Sequence, residues 1–223
     1  MKKSLIAIAA AAAALTAGSA FAQSFDGTSP WLVRFRAVHI NPSNGGSTNP
    51  DLDLAVSSKT IPEVDISYFF TPNIAAELIL TYPQKHDIRS RSLTLPSLGL
   101  ANGKIGSVKE LPPTLTAQYH FTDLGAFKPY VGAGINFTNF SSVDWRDDVG
   151  GAAHPSIKNH SWGGALQVGF DYALDKNWSV NFDIKKVYMK TDVRLNAPGI
   201  AVGKIGDLKI DPLLVGIGVG YRF

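Results

Sequence analysis

Eight segments that alternate apolar and polar residues, separated by gaps that are short and long in turn, constrain this chain more than any other feature. They lie at about 31–40, 61–70, 74–82, 108–121, 128–140, 161–174, 178–189 and 208–223. Period-two alternation marks a strand whose two faces meet different surroundings. The short gaps read "TPN", "TDLGAF" and "DKN", which are turn compositions. The other gaps, 41–60, 83–107, 142–160 and 190–207, are long. Short turns alternating with long loops over an even number of strands specify an all-β fold, an eight-stranded antiparallel transmembrane β-barrel. Short turns and both chain ends then face the periplasm, and the long loops are extracellular. Eight strands of this length satisfy the size relation for a small closed barrel.

The faces sort accordingly. In the last segment Leu213, Val215, Ile217, Val219, Tyr221 and Phe223 form one face, and Leu214, Gly216, Gly218, Gly220 and Arg222 the other. Trp178, Val180, Phe182 and Ile184 likewise oppose Ser179, Asn181, Asp183 and Lys185. A soluble sandwich also alternates, but its polar face is more densely charged. Here that face is mostly Gly, Ala, Gln and Asn, which suits a narrow lumen. Trp31, Phe70, Phe121, Tyr172, Trp178, Tyr221 and Phe223 lie near the periplasmic ends of the apolar faces, as an interfacial girdle would. A terminal Phe223, with Tyr221 and Val219 at alternate positions before it, has the form of the signal read by the barrel-assembly machinery.

Lys2 and Lys3, the apolar run from Leu5 to Leu15 and the small residues Ala20 and Ala22 read as a secretory signal peptide, residues 1–22. One barrel domain, 23–223, remains. Without Lys2 and Lys3 the 21 basic residues become 19 against 18 acidic ones, so the net charge is +1 in place of +3. That balance offers no basic face for nucleic acid. The chain has no cysteine, which excludes disulfides and thiolate chemistry. The expected location is the outer membrane of a Gram-negative bacterium, among outer-membrane lipid and lipopolysaccharide.

The inward positions carry Arg34, Arg36, Glu63, Asp65, Glu77, His120, Asp171, Asp183, Lys185 and Arg222. Four Arg and Lys cations therefore face five carboxylates. Buried charges must pair, so the expectation is a salt-bridged plug of Arg34, Arg36, Glu63, Asp65, Glu77, Asp171, Asp183 and Arg222. An ion-selective ring is the alternative. No G-x-S-x-G or H-E-x-x-H is present, and no histidines are spaced i, i+4. His86 beside Asp87, and His160 beside Ser161, are lone candidates. The chain reads as no enzyme, with no catalytic residue, no metal and no cofactor.

Two features remain. The stretch "LTLPSLGLANGKI" at 93–105 places Leu93, Leu95, Leu98 and Leu100 in an extracellular loop, unusually apolar for a surface exposed to water. These side chains could cap the barrel mouth and line a greasy pocket, or pack on other loops. In "ELPPTLTAQYHF" the adjacent Pro112 and Pro113 interrupt an otherwise regular strand pattern at its extracellular start. Proline is tolerated there but removes two ladder donors. An internal echo, "GKIGSVKELP" at 103–112 and "GKIGDLKIDP" at 203–212, leads from a long loop into a strand in both copies.

"KELPPTLTAQYHF", "KPYVGAGINFTNF", "SWGGALQVGFDYALDKNWSVNFDIK" and "IDPLLVGIGVGYRF" resemble the OmpW family of outer-membrane proteins over nearly the whole mature chain. The resemblance implies a channel for small hydrophobic molecules, with an apolar mouth and sideways release into the bilayer. The family's apolar constriction falls on Ile79 and Lys185, and Lys185 departs from it by placing an ammonium there. The lateral gate falls at Pro112 and Pro113. The path would run from Leu93, Leu95, Leu98 and Leu100 past Ile79. The alternative is a structural or surface-interaction barrel without transport; an outer-membrane lipid enzyme is a third, weaker reading.

Overall fold

A computed structural model of the chain describes residues 29–49, 51–92, 103–147, 156–195 and 203–223. In chain order its strands are β1 (Trp31–Asn41), β2 (Gly45–Thr48), β3 (Leu54–Val56), β4 (Lys59–Phe69), β5 (Ile74–Leu80), β6 (Gln84–Ser90), β7 (Gly103–Leu111) and β8 (Thr114–His120), followed by β9 (Phe127–Trp145), β10 (Ser156–Ile157), β11 (His160–Ala173), β12 (Trp178–Val187), β13 (Lys190–Leu195), β14 (Gly203–Lys209) and β15 (Leu213–Arg222). Eight of them close a ring in the order β1, β4, β5, β8, β9, β11, β12, β15 and back to β1, every pair antiparallel. Closure leaves no free edge in this ring, the condition for a sheet that crosses lipid.

The outward faces carry the apolar side chains, and many are largely exposed, Trp162, Ile217 and Leu166 among them. In water such a surface would aggregate; against acyl chains it is the stable face. Aromatic rings border it at both ends. On the periplasmic side, Trp31, Tyr68 and Phe70 meet edge to face at 4.9 and 5.1 Å, as do Trp178, Tyr221 and Phe223. A second border, which the sequence did not announce, holds Tyr82, Trp162 and Tyr188 near the outer rim, with the Phe137 ring tilted against Trp162 at 4.8 Å. In the turn after β11, the Asp175 carboxylate accepts the N–H groups of Trp178 at 2.7 Å and Asn177 at 2.8 Å. Those bonds hold its pKa below the usual range. They therefore support the turn above the ordinary carboxylate pKa and are lost as the pH falls through the lowered one.

The long gaps are not plain loops. Residues 41–60 hold β2 and β3, 83–107 hold β6 and much of β7, and 190–207 hold β13 and part of β14. β7, β6 and β3 continue the wall beyond β9, and β10, β13, β14 and β2 form a separate four-stranded sheet. The two layers enclose an apolar core that includes Ile88, Val108, Phe140, Val193, Leu208 and Ile210. Burying such side chains is worth about 1.5–3 kcal/mol each, which is why these segments order as strands. Segment 108–121, expected as one strand, is two: β7 belongs to the extracellular layer and β8 to the barrel. The echoed runs are β7 and β14. Each descends from the extracellular layer to a proline, Pro112 or Pro212, beyond which a barrel strand starts.

Candidate functional site

The lumen is closed at mid-height by a buried ion network that follows from register. Arg34 of β1 lies opposite Asp65 of β4, and Arg36 opposite Glu63. On the other flank Arg36 faces Gly218 of β15, where a Cβ would come within 2.8 Å of the arginine's own Cγ. Glycine at this position makes room for the guanidinium. Arg34 donates from Nε and Nη2 to the two oxygens of Asp171 at 3.0 and 2.6 Å, and from Nη1 to Glu77 at 2.5 Å. Arg36 donates to Asp65 at 2.6 Å and to Glu77 at 3.3 Å, and lies 3.3 Å from Asp183 and 3.4 Å from Glu63. Forked guanidinium–carboxylate bonds of this kind are the strong ones.

Neutral groups complete the network. Ser67 bridges Arg34 and Glu77, Gln167 donates to Glu77 and Asp183, and Tyr130 donates to Asp183 at 2.8 Å. Sequence reading missed Tyr130, whose inward position on β9 was its only signal. Arg222 stands apart at the periplasmic end, donating to the Ser29 carbonyl and lying 4.2 Å over the Phe69 ring. Lys185 pairs with Glu63 at 3.4 Å and lies 3.9 Å from Asp183. Its nearer partner is thus Glu63.

The network separates two cavities that share no lining residue. The periplasmic one, about 70 Å³, is lined by Leu32, Phe69, His120, Asp171, Trp178 and Arg222, with others. The upper one is lined mostly by apolar groups, including Ile40, Ile61, Ile79, Met189, Pro212 and Leu214, with Lys185 and Glu63 also on its wall. It measures about 20 Å³, space for roughly one water. Met189 is the most adaptable side chain on its wall.

Beside the upper cavity the barrel wall is incomplete. Pairing of β5 with β8 stops at Ile79 and Thr114, and pairing of β6 with β7 resumes at Gln84 and Glu110. Between these points lie 80–83 and 111–113, and no backbone hydrogen bond joins the two stretches. Pro83, Pro112 and Pro113 are three of those seven residues. They bring no N–H, so a gap here strands few donors where lipid could satisfy none. The other flank of the prolines is held: Phe137 N–H donates to Pro113 C=O at 3.1 Å, and Asn136 Nδ2 reaches the carbonyls of Pro112 and Pro113 at 3.4 and 3.3 Å. The echoed break at Pro212 is also stitched. Val187 N–H donates to Pro212 C=O, Ile210 N–H to Met189 C=O, and Met189 N–H to the Asp211 carboxylate. Of the two breaks, the one beside β5 and β6 has no backbone pairing among the described residues.

Of the residues singled out in the sequence, Ile79, Lys185 and Pro112 line the upper cavity together. Leu93, Leu95, Leu98 and Leu100 lie outside the described residues. Ile105, from the same apolar stretch, is buried in the extracellular core. Sequence reading missed Thr81, Glu110, Thr114 and Pro212 on the cavity wall. His86 lies 3.3 Å from buried Glu110, and Ser161 accepts the Lys190 N–H. Among the described residues no cluster of His, Asp and Glu is placed to hold a metal ion.

Comparison with known proteins gives a consistent picture. The model of the OmpW family matches residues 31–223. The chain is 35% identical to Outer membrane protein W of Escherichia coli over the full length of both. It is 34% identical to the dibenzothiophene metabolism operon protein PahQ of Pseudomonas aeruginosa, over 87% of this chain and 89% of that one. The crystal structure of the outer membrane protein OprG from Pseudomonas aeruginosa superposes with a TM-score of 0.75 at 27% identity, covering 88% of this chain and 97% of the other.

Proposed function

This chain belongs to the OmpW family and is an outer-membrane β-barrel of a Gram-negative bacterium, and from that premise we propose that it takes up small hydrophobic molecules and releases them sideways into the bilayer. The observation that carries this reading is the position of the upper cavity. It lies beside a buried ion network and adjoins an unpaired stretch of wall. An apolar solute would have to dismantle that network to reach the periplasm axially, and would be left in water. Leaving through the gap keeps its apolar surface out of water throughout. Ile79 and Lys185 form the constriction, Pro112 and Pro113 one edge of the exit, and Pro83 the other. Leu93, Leu95, Leu98 and Leu100, the entry expected from the sequence, lie outside the described residues. The description of PahQ, which ties it to dibenzothiophene metabolism, supports an apolar aromatic passenger. Export through the leader 1–22 and insertion directed by Phe223 belong to the same reading.

Uptake of radiolabelled p-xylene by cells with and without the protein tests it. Faster uptake with the protein is expected, and equal uptake would leave a barrel that serves only structure or surface contact. The variant Pro112→Ala/Pro113→Ala restores two N–H donors at the gap. If it closes the gap, uptake falls toward the protein-free rate while the folded amount in the membrane is maintained. Undiminished uptake in that variant would remove the prolines from the exit.

A further inference from the structure

Beside the gap, the cavity wall is polar in one place. Glu110 of β7 and Thr81, just beyond β5, both line the upper cavity. Glu110 is 2% exposed, and its Oε2 has no hydrogen-bond partner among the described residues; nor does the buried Thr81 Oγ1. Gln84 Oε1, on adjoining β6, is also unpartnered among the described residues. Leaving one such group unmet in a buried site costs about 1–3 kcal/mol, and two of these three line the same cavity.

The protonation logic fixes what the site wants. His86 Nδ1 lies 2.7 Å from the Ser57 carbonyl, so it carries a hydrogen. Nε2 then faces Glu110 Oε1 at 3.3 Å. One proton must sit between them, on the imidazole or on the carboxyl, since a bare lone pair facing a carboxylate repels. In either case Glu110 Oε2 is left as an acceptor toward the cavity. Lys185, on the same wall, makes only long contacts to Glu63 and Asp183 and has donor capacity to spare.

The echoed strand supplies a control inside the molecule. The position equivalent to Glu110 in the second copy is Ile210, buried and apolar in the same core. Descent from the extracellular layer to a barrel strand therefore does not require a carboxylate at this position. The second break has an acid one residue on, Asp211, but its carboxylate accepts the Met189 N–H, whereas Glu110 Oε2 has no such partner among the described residues.

We propose that the upper cavity selects small molecules with an apolar body and one hydroxyl, phenols and short alcohols, whose O–H donates to Glu110 Oε2 and whose oxygen accepts from Thr81 or Lys185. This rests on the channel reading above and narrows it. A site with unmet acceptors favours a hydroxyl over a methyl of the same size, because the methyl leaves them unmet.

The test uses p-cresol and p-xylene, which differ by that replacement, supplied together in labelled form to cells with the wild-type protein, cells lacking it, and cells with Glu110→Ile. Heat-dependent electrophoretic migration reports the folded fraction. The expected cresol-to-xylene uptake ratio is at least about tenfold higher with the wild type than without the protein. Glu110→Ile is expected to abolish that preference and Glu110→Gln, which keeps an acceptor, to retain part of it. Should Glu110→Ile fail to fold, Thr81→Val reads the same ratio and is expected to lower it several-fold. An unchanged ratio in the folded variants, or no cresol preference in the wild type, overturns the hydroxyl selectivity. The absence of any protein-dependent p-xylene or p-cresol uptake overturns the channel itself, a separate outcome.

Discussion

Replacing Arg36 with leucine is expected to cost the barrel about 3–5 kcal/mol, the usual penalty for removing one partner of a buried ion pair. Arg36 touches Asp65, Glu77, Asp183 and Glu63, and all of these groups are almost wholly shielded from water. The five inward carboxylates, Asp171 among them, would then be left to Arg34 and Lys185 within the network. Leucine fills part of the space and satisfies none of the acceptors, so desolvation dominates over packing. Urea unfolding in detergent, followed by tryptophan fluorescence, measures the loss. Adding Asp65→Leu to Arg36→Leu removes one orphaned charge and is expected to recover part of it, the sign of a coupled pair. A loss under about 1 kcal/mol for Arg36→Leu would mean that the network is solvated and does not seal the lumen.

Ile79→Trp is expected to bring p-xylene uptake down to the protein-free rate with the barrel still folded. Ile79 is 2% exposed on the wall of a cavity of about 20 Å³, beside the point where β5–β8 pairing stops. An indole there takes up the space that a passenger must open, between the ion network below and the gap beside it. Overpacking costs about 1–3 kcal/mol, which lowers stability without undoing a closed eight-stranded ring. Uptake measured at matched folded amounts separates blockage from loss of protein. Wild-type uptake in this variant would place the route elsewhere.

The barrel was legible because lipid and lumen impose opposite demands on successive residues, so each strand's own sequence records both. Arg34, Glu77 and Asp183 could be assigned to the interior from period alone. The extracellular layers were not legible, because Val56, Ile88, Phe140 and Leu208 form one core only after distant segments meet. A strand such as β14, "GKIGDLK", looks like loop in isolation. Pro112 and Pro113 were conspicuous within their own strand, but the gap is a property of two strands. It needed Pro83 and the end of pairing at Ile79, which only register reveals. Glu110 was hidden for the same reason: it falls in the segment 108–121, expected as one barrel strand, and only the extracellular layer buries it.

Photolabelling of the protein in intact outer membranes with a diazirine-bearing arene, read by mass spectrometry, tests the lateral route most directly. The expected result is adducts on Ile79, Thr81, Pro112 and Thr114, the cavity wall and the edge of the gap, competed away by excess p-xylene. Adducts confined to lipid-facing Leu166, Val168 and Ile217, unaffected by p-xylene, would contradict passage through the barrel wall.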